Sequence, residues 1–101
     1  MGKVKYRLAN DDRVEEIHTI VVHKINMGDV EDPDLMVAEP IYKWQQSDAG
    51  KFVMDNAVIV PKWERYLNDQ YIGWTYAIIA ELEAKKLAEY YLKWGNNGNN
   101  P

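Results

Sequence analysis

The sequence predicts an α+β domain: an antiparallel sheet, made of an N-terminal hairpin and C-terminal strands, with two short helices inserted between them. Three observations carry this expectation. Residues Lys3–Leu8 alternate charged and apolar side chains, the period of a strand with one wet face. Residues 14–27 are crowded at their centre with β-branched side chains, Ile17-His18-Thr19-Ile20-Val21-Val22, whose restricted χ1 favours strands over helices. Two helix-start signals, Asp32-Pro33 and Ser47, then fall between these strands and the next β-like run.

In the first run Val4, Tyr6 and Leu8 point one way and Lys3, Lys5 and Arg7 the other. This predicts a half-buried edge strand, with lysine on the exposed face to discourage edge-to-edge pairing. Asn10-Asp11-Asp12 is turn chemistry, because short polar side chains bond their own backbone and tolerate the left-handed region. The second run is apolar on both faces at its centre, which predicts an interior strand with partners on both sides. Asp32 fits an N-cap, Pro33 the first helical position, and Asp34 adds negative charge to the first turn. Leu35, Met36, Val37, Ile41 and Trp44 then line one helical face, with Pro40 kinking or restarting the helix. Ser47 caps a second helix, with Phe52, Val53, Ala57 and Met54 offering its apolar stripe and its end near Asn56. Residues 58–60, Val-Ile-Val, return to strand character, and Trp63, Arg65 and Leu67 alternate with Lys62, Glu64 and Tyr66 before a turn at Asn68-Asp69.

Residues 71–94 read two ways. The stretch from Ala80 to Glu89 consists of good helix formers, and Ala77, Ala80, Ala84, Leu87, Tyr91 and Trp94 recur at spacings of three and four, with Gly95 a suitable helix stop. Trp74-Thr75-Tyr76-Ala77-Ile78-Ile79 and Tyr90-Tyr91-Leu92-Lys93-Trp94 favour strands, with a turn near residues 83–86. Local propensity leans to helix, while the need to complete the sheet leans to strands. The chain as a whole is expected to be one domain over residues 1–94 with a flexible Asn/Gly tail over residues 95–101.

Three stretches carry a resemblance: Gly28-Asp29-Val30-Glu31-Asp32-Pro33-Asp34-Leu35, Pro40-Ile41-Tyr42-Lys43-Trp44-Gln45-Gln46 and Leu92-Lys93-Trp94-Gly95. In these the chain resembles the small uncharacterised proteins of tailed bacteriophages, marine cyanophages especially, over most of its length up to Gly95. The resemblance implies a strand hairpin over residues 78–94, and with it strands become the expectation there. It also implies expression inside an infected bacterium, in its cytoplasm or as part of the virion. It implies no activity.

Composition narrows the function classes. The 101 residues suffice for a core without staples, and cysteine is absent, which suits a reducing compartment. No segment approaches the roughly 20 apolar residues of a membrane span, and the charged opening has no apolar run behind it, which predicts no signal peptide. A net charge of −4 disfavours a general nucleic-acid binder. The acids concentrate between Asp11 and Glu39, a distribution that suits solvated turns and also a basic partner.

No motif for catalysis, metal or cofactor stands out. His18 and His23, five apart on a strand, are expected on opposite faces, so one metal cannot take both without a bulge. Asp29, Glu31, Asp32 and Asp34 lack the spacing of a calcium loop, and helix capping accounts for the last two. Gly50-Lys51 lacks the upstream glycine and following hydroxyl of a phosphate-binding loop. Ser47 is the only serine, which leaves a serine triad with little to draw on. The chain is thus expected not to be an enzyme and to need no cofactor.

Aromatic usage is the more telling feature. Four Trp and seven Tyr stand against one Phe, a preference for rings that suit half-wet positions and interface hot spots. Trp63, Tyr66, Tyr71 and Trp74 gather around one turn and form the candidate binding patch, set against their use as a cover for the core edge. The expected function is that of a small accessory protein acting by protein–protein contact, through self-association, a host protein or a virion component. The alternative is single-stranded nucleic-acid binding through aromatic stacking and the basic strand face.

Overall fold

A computed structural model describes residues 3–70 and 72–95. Tyr71, and the expected tail beyond Gly95, lie outside the described residues. The architecture is α+β, with strands β1 (Lys3–Leu8), β2 (Val14–Gly28), β3 (Lys62–Asn68) and β4 (Gly73–Glu83) in one antiparallel sheet of order β1-β2-β4-β3. Helices α1 (Pro33–Met36), α2 (Ala38–Gln46) and α3 (Asp48–Asn56) are inserted between β2 and β3, and α4 (Ala84–Trp94) follows β4.

The N-terminal hairpin forms as its alternation requires. Asp12 takes φ 63° in the turn, and the Ala9 N–H bonds the Arg13 carbonyl at 2.7 Å. β2 is interior, flanked by β1 along residues 14–19 and by β4 along residues 17–28. The two outer strands are staggered. β1 covers the end of β2 nearest the hairpin turn, whereas β3 pairs with the half of β4 that lies against the far end of β2.

β2 carries a bulge. Val21 pairs with Ile79 and His23 with Ile78, so Val22 has no partner of its own. An extra residue shifts the alternation by one. Before it, His18 and Ile20 share a face with Leu82 and Ala80; after it, His23 and Ile25 share that same face with Ile78 and Tyr76. The expectation that the two histidines look to opposite faces is therefore corrected.

This common face is the one the helices cover. Ile20, Val22, Ile78, Ala80 and Leu82 pack with Trp44 of α2, Val53 of α3, and Leu87 and Tyr90 of α4 in one buried cluster. Burying a side chain of this size is worth roughly 1.5–3 kcal/mol each, which outweighs the modest propensity of these short helices. On the opposite face Thr75 is fully buried, and its hydroxyl is satisfied on both sides: it donates to Asn26 Oδ1 at 2.8 Å and accepts from Asn68 Nδ2 at 3.1 Å.

The helical segment follows its sequence signals in part. Ser47 caps α3, accepting from the Gly50 N–H at 3.0 Å, and α3 ends at Asn56. Pro33 opens α1 and Pro40 sits in the first turn of α2, where its missing N–H costs nothing. Asp32 does not act as a side-chain cap; it takes φ 52°, ψ 60° and makes no capping bond. Leu35 and Met36 are exposed, and the inward stripe runs through Val37, Ile41 and Trp44 instead. Residues 58–60 are not a strand; β3 begins at Lys62. Val58 nevertheless bonds the Glu81 carbonyl at 2.9 Å, steering the chain along β4 before pairing starts.

The expected strand hairpin over residues 78–94 is replaced by one strand and one helix. β4 runs through Ala80-Glu81-Leu82-Glu83 despite their helical propensity, because residues 17–20 of β2 require partners there. Glu83 then ends the strand and caps α4, its carboxylate accepting from the Lys85 N–H at 3.0 Å. Gly95, at φ 69°, stops the helix.

Candidate functional site

The candidate aromatic residues are divided by the sheet. Trp63 pairs with Ile78 and so lies on the helix side, whereas Tyr66 pairs with Thr75 on the opposite face. Trp63 is 46% and Tyr66 39% exposed, so neither is core; Trp74 is half-buried. Tyr71 lies outside the described residues. The four do not form one patch.

Trp63 and Trp74 instead belong to a cluster built around Tyr76, which is fully buried. The Trp63 ring tilts against Tyr76 with centroids 5.3 Å apart. The Tyr76 hydroxyl donates to Asp34 Oδ1 at 2.5 Å, and the same oxygen accepts from Arg65 Nη1 at 3.3 Å. The Arg65 guanidinium lies 4.3 Å above the Trp74 ring, a cation–π contact worth about 0.5–1 kcal/mol at such a site. Burial pushes the Tyr76 hydroxyl above the ordinary tyrosine value, and the neighbouring Asp34 carboxylate adds to the shift. Tyr76 therefore stays protonated at neutral pH and acts as a donor, not as a base. Asp34 Oδ1, the Tyr76 hydroxyl and the Arg65 guanidinium are engaged with one another, so the cluster reads as a fastening of α1 to β3 and β4. The sequence marked Asp34 only as a first-turn acid and did not single out Tyr76 or Arg65. The available signal was Arg65, a cation at a position whose neighbours Trp63 and Leu67 share its face.

The histidines are engaged separately. His18 Nε2 pairs with Glu16 at 2.5 Å, while His23 stacks on Trp44 with ring centroids 6.0 Å apart and planes 18° from parallel. No three His, Asp or Glu side chains among the described residues are grouped closely enough to hold a metal ion. Burial lowers the His23 pKa below its ordinary value of 6.5. The unfolded chain therefore binds the proton more readily, and its stability relation has a definite sign: full stability above pH 6.5, lost as pH falls toward the folded pKa. Denaturant midpoints measured between pH 7 and 5 are expected to fall with pH in the wild type and to fall less in His23→Gln; identical slopes would show that His23 is not the source.

The basic strand face is also largely engaged. Arg7 Nε lies 2.6 Å from Glu15 Oε1, and Lys5 Nζ reaches across β2 to within 2.9 Å of Glu81 Oε1. That oxygen is buried and has no hydrogen bond of proper geometry, so the contact is one of charge alone. An open hollow of about 520 Å³ at the hairpin turn is lined by residues 7–11, Arg13 and Glu15, and both of its arginines are paired to carboxylates. A smaller one of about 230 Å³ lies over Thr19, Val21 and Ile79, between Lys3 and Glu64.

The apolar side of β1 is where the surface departs most from expectation. Val4, Tyr6 and Leu8 were expected to be half-buried. They are 48%, 67% and 68% exposed, and Val14, opposite Leu8, is 69% exposed. The helices cover only the central strands, and this stripe extends beyond them on the same side.

Fold and surface together define a small α+β protein with an uncovered apolar edge strand. Comparison with family models, curated proteins and solved structures found no match. Among the described residues no helix is long and apolar enough to cross a membrane.

Proposed function

We propose that this chain is a small accessory protein, phage-encoded as its sequence resemblance implies, that acts by protein–protein contact in the infected host or in the virion. The observation that supports this reading is the stripe of Val4, Tyr6, Leu8 and Val14, exposed side by side on one face of the N-terminal hairpin. Contiguous apolar surface of this kind, rimmed by charge, marks sites of protein association. This stripe favours the hairpin as the contact surface over Trp63 and Trp74, whose rings pack against Tyr76 and Arg65. Protein is preferred over single-stranded nucleic acid as partner because Lys5 and Arg7 are neutralised by Glu81 and Glu15.

Affinity capture from host lysate tests the reading. The wild type is expected to retain a defined protein, either a host or phage component or untagged copies of itself. Leu8→Asp is expected to abolish that retention and Trp63→Ala to leave it largely intact. Retention indifferent to Leu8→Asp, or none at all, overturns the reading.

A further inference from the structure

We infer that the partner seated on β1 is a second copy of this chain, joined strand to strand about a two-fold axis at Tyr6 to give one continuous eight-stranded sheet. This inference rests on the protein-contact reading above and specifies its partner.

β1 is one of the two outer strands of the sheet, and among the described residues one row of its backbone N–H and C=O groups has no partner strand. It lacks the usual defences of such an edge. It contains no proline and no bulge, its six residues pairing with β2 without interruption. Two of its three cations do not guard it either: Lys5 and Arg7 lean inward, toward Glu81 of β4 and Glu15 of β2, and away from the free edge. What remains is an extended strand with its backbone available and two of its three cations paired, Lys3 at its start being the third, the arrangement used in strand addition.

The side-chain pattern is self-complementary. A two-fold axis perpendicular to the sheet requires each position to face its mirror position about a centre. Centred on Tyr6, antiparallel pairing sets Tyr6 against Tyr6 of the second copy and Val4 against its Leu8. All of these lie on the helix side, because Val4, Tyr6 and Leu8 share one face. On the other face Lys5 meets Arg7 of the second copy, each already paired to its own carboxylate. The stagger of the sheet permits the approach. β1 covers only the turn-proximal end of β2, and the axis keeps the two helical layers on the same face while setting them on opposite sides of the seam. Two apolar stripes and two strand edges together bury on the order of 1,000 Å², the lower bound for a specific interface. The expected association is therefore micromolar.

The absence of cysteine gives a direct test. Residues directly opposed in an antiparallel pair have Cα atoms about 4.5–5.5 Å apart, within the span of a disulfide. Tyr6→Cys is expected to crosslink to a covalent dimer under mild oxidation, while Leu67→Cys, equally exposed on β3, stays monomeric in the denaturing gel. Sedimentation of the full chain across the micromolar range is expected to show a monomer–dimer equilibrium, weakened by roughly 30-fold or more in Tyr6→Asp, the effect of placing a charge at a hot-spot position. Circular dichroism of that variant should match the wild type, since Tyr6 supports no core contact. A wild type that remains monomeric throughout, a dimer unaffected by Tyr6→Asp, or a dimer that Tyr6→Cys fails to crosslink overturns the inference. If the chain is monomeric yet loses a captured host or phage protein in Leu8→Asp, self-pairing fails while the protein-contact reading stands.

Discussion

Gly50→Ala is expected to destabilise the protein by about 3 kcal/mol or more, against the usual sign of that substitution. In an ordinary helix interior, replacing glycine by alanine gains roughly 0.5–1 kcal/mol through propensity. Gly50 is in the first turn of α3, where the chain doubles back from α2 at Ser47. A Cβ there would stand 1.7 Å from the Trp44 carbonyl oxygen and 2.7 Å from its carbon. Both are backbone atoms, so no side chain can rotate away. The elbow between the helices has to open, and opening it moves Trp44 off His23 and Val53 out of the core. Thermal unfolding followed by far-ultraviolet circular dichroism measures the loss. A variant as stable as the wild type would mean that α2 and α3 do not meet as described.

Tyr76→Ala is expected to cost about 4 kcal/mol, in the range for deleting a fully buried aromatic ring. The ring is enclosed beneath Trp63 and joins β4 to α1 through Asp34. Tyr76→Phe keeps the ring and removes only the hydroxyl. It is expected to cost about 1 kcal/mol, because the exposed Asp34 carboxylate regains water and still holds Arg65. Urea titration of the three proteins separates ring from hydroxyl. Alkaline titration gives a second readout. The Tyr76 pKa is raised above 10, so the unfolded chain loses its proton first and stability declines as pH rises through that value. This decline should be weaker in Tyr76→Phe. Equal losses in the alanine and phenylalanine variants would show that the hydroxyl, and not the ring, holds the fold.

Most of the fold was legible because its elements obey local rules. The β1–β2 hairpin follows from alternation on either side of Asn10-Asp11-Asp12, and the α2–α3 corner from the Ser47 cap. Four features depended on tertiary context. Residues 80–83 have helical propensity, yet Ala80 and Leu82 are buried at a period of two against β2. Pairing thus overrides propensity, and the helix starts only where β2 no longer needs a partner. The bulge at Val22 leaves no mark in composition, so parity alone misplaced one histidine. The candidate aromatic patch failed for a related reason. Proximity around a turn does not decide which face a ring takes, and Trp63 and Tyr66 fall on opposite sides of β3. Alternation in β1 showed which side chains travel together, but whether anything covers them depends on how far the helices reach.

The junction at Glu83, where one residue closes β4 and opens α4, has a consequence for fidelity. With no linker to absorb error, sliding β4 by a single residue would turn α4 about its axis by about 100°. Leu87 and Tyr90 would swing out of the cluster they complete, and the misaligned sheet would forfeit its lid. Alignment of the strands is thus proofread by a helix that touches only their faces.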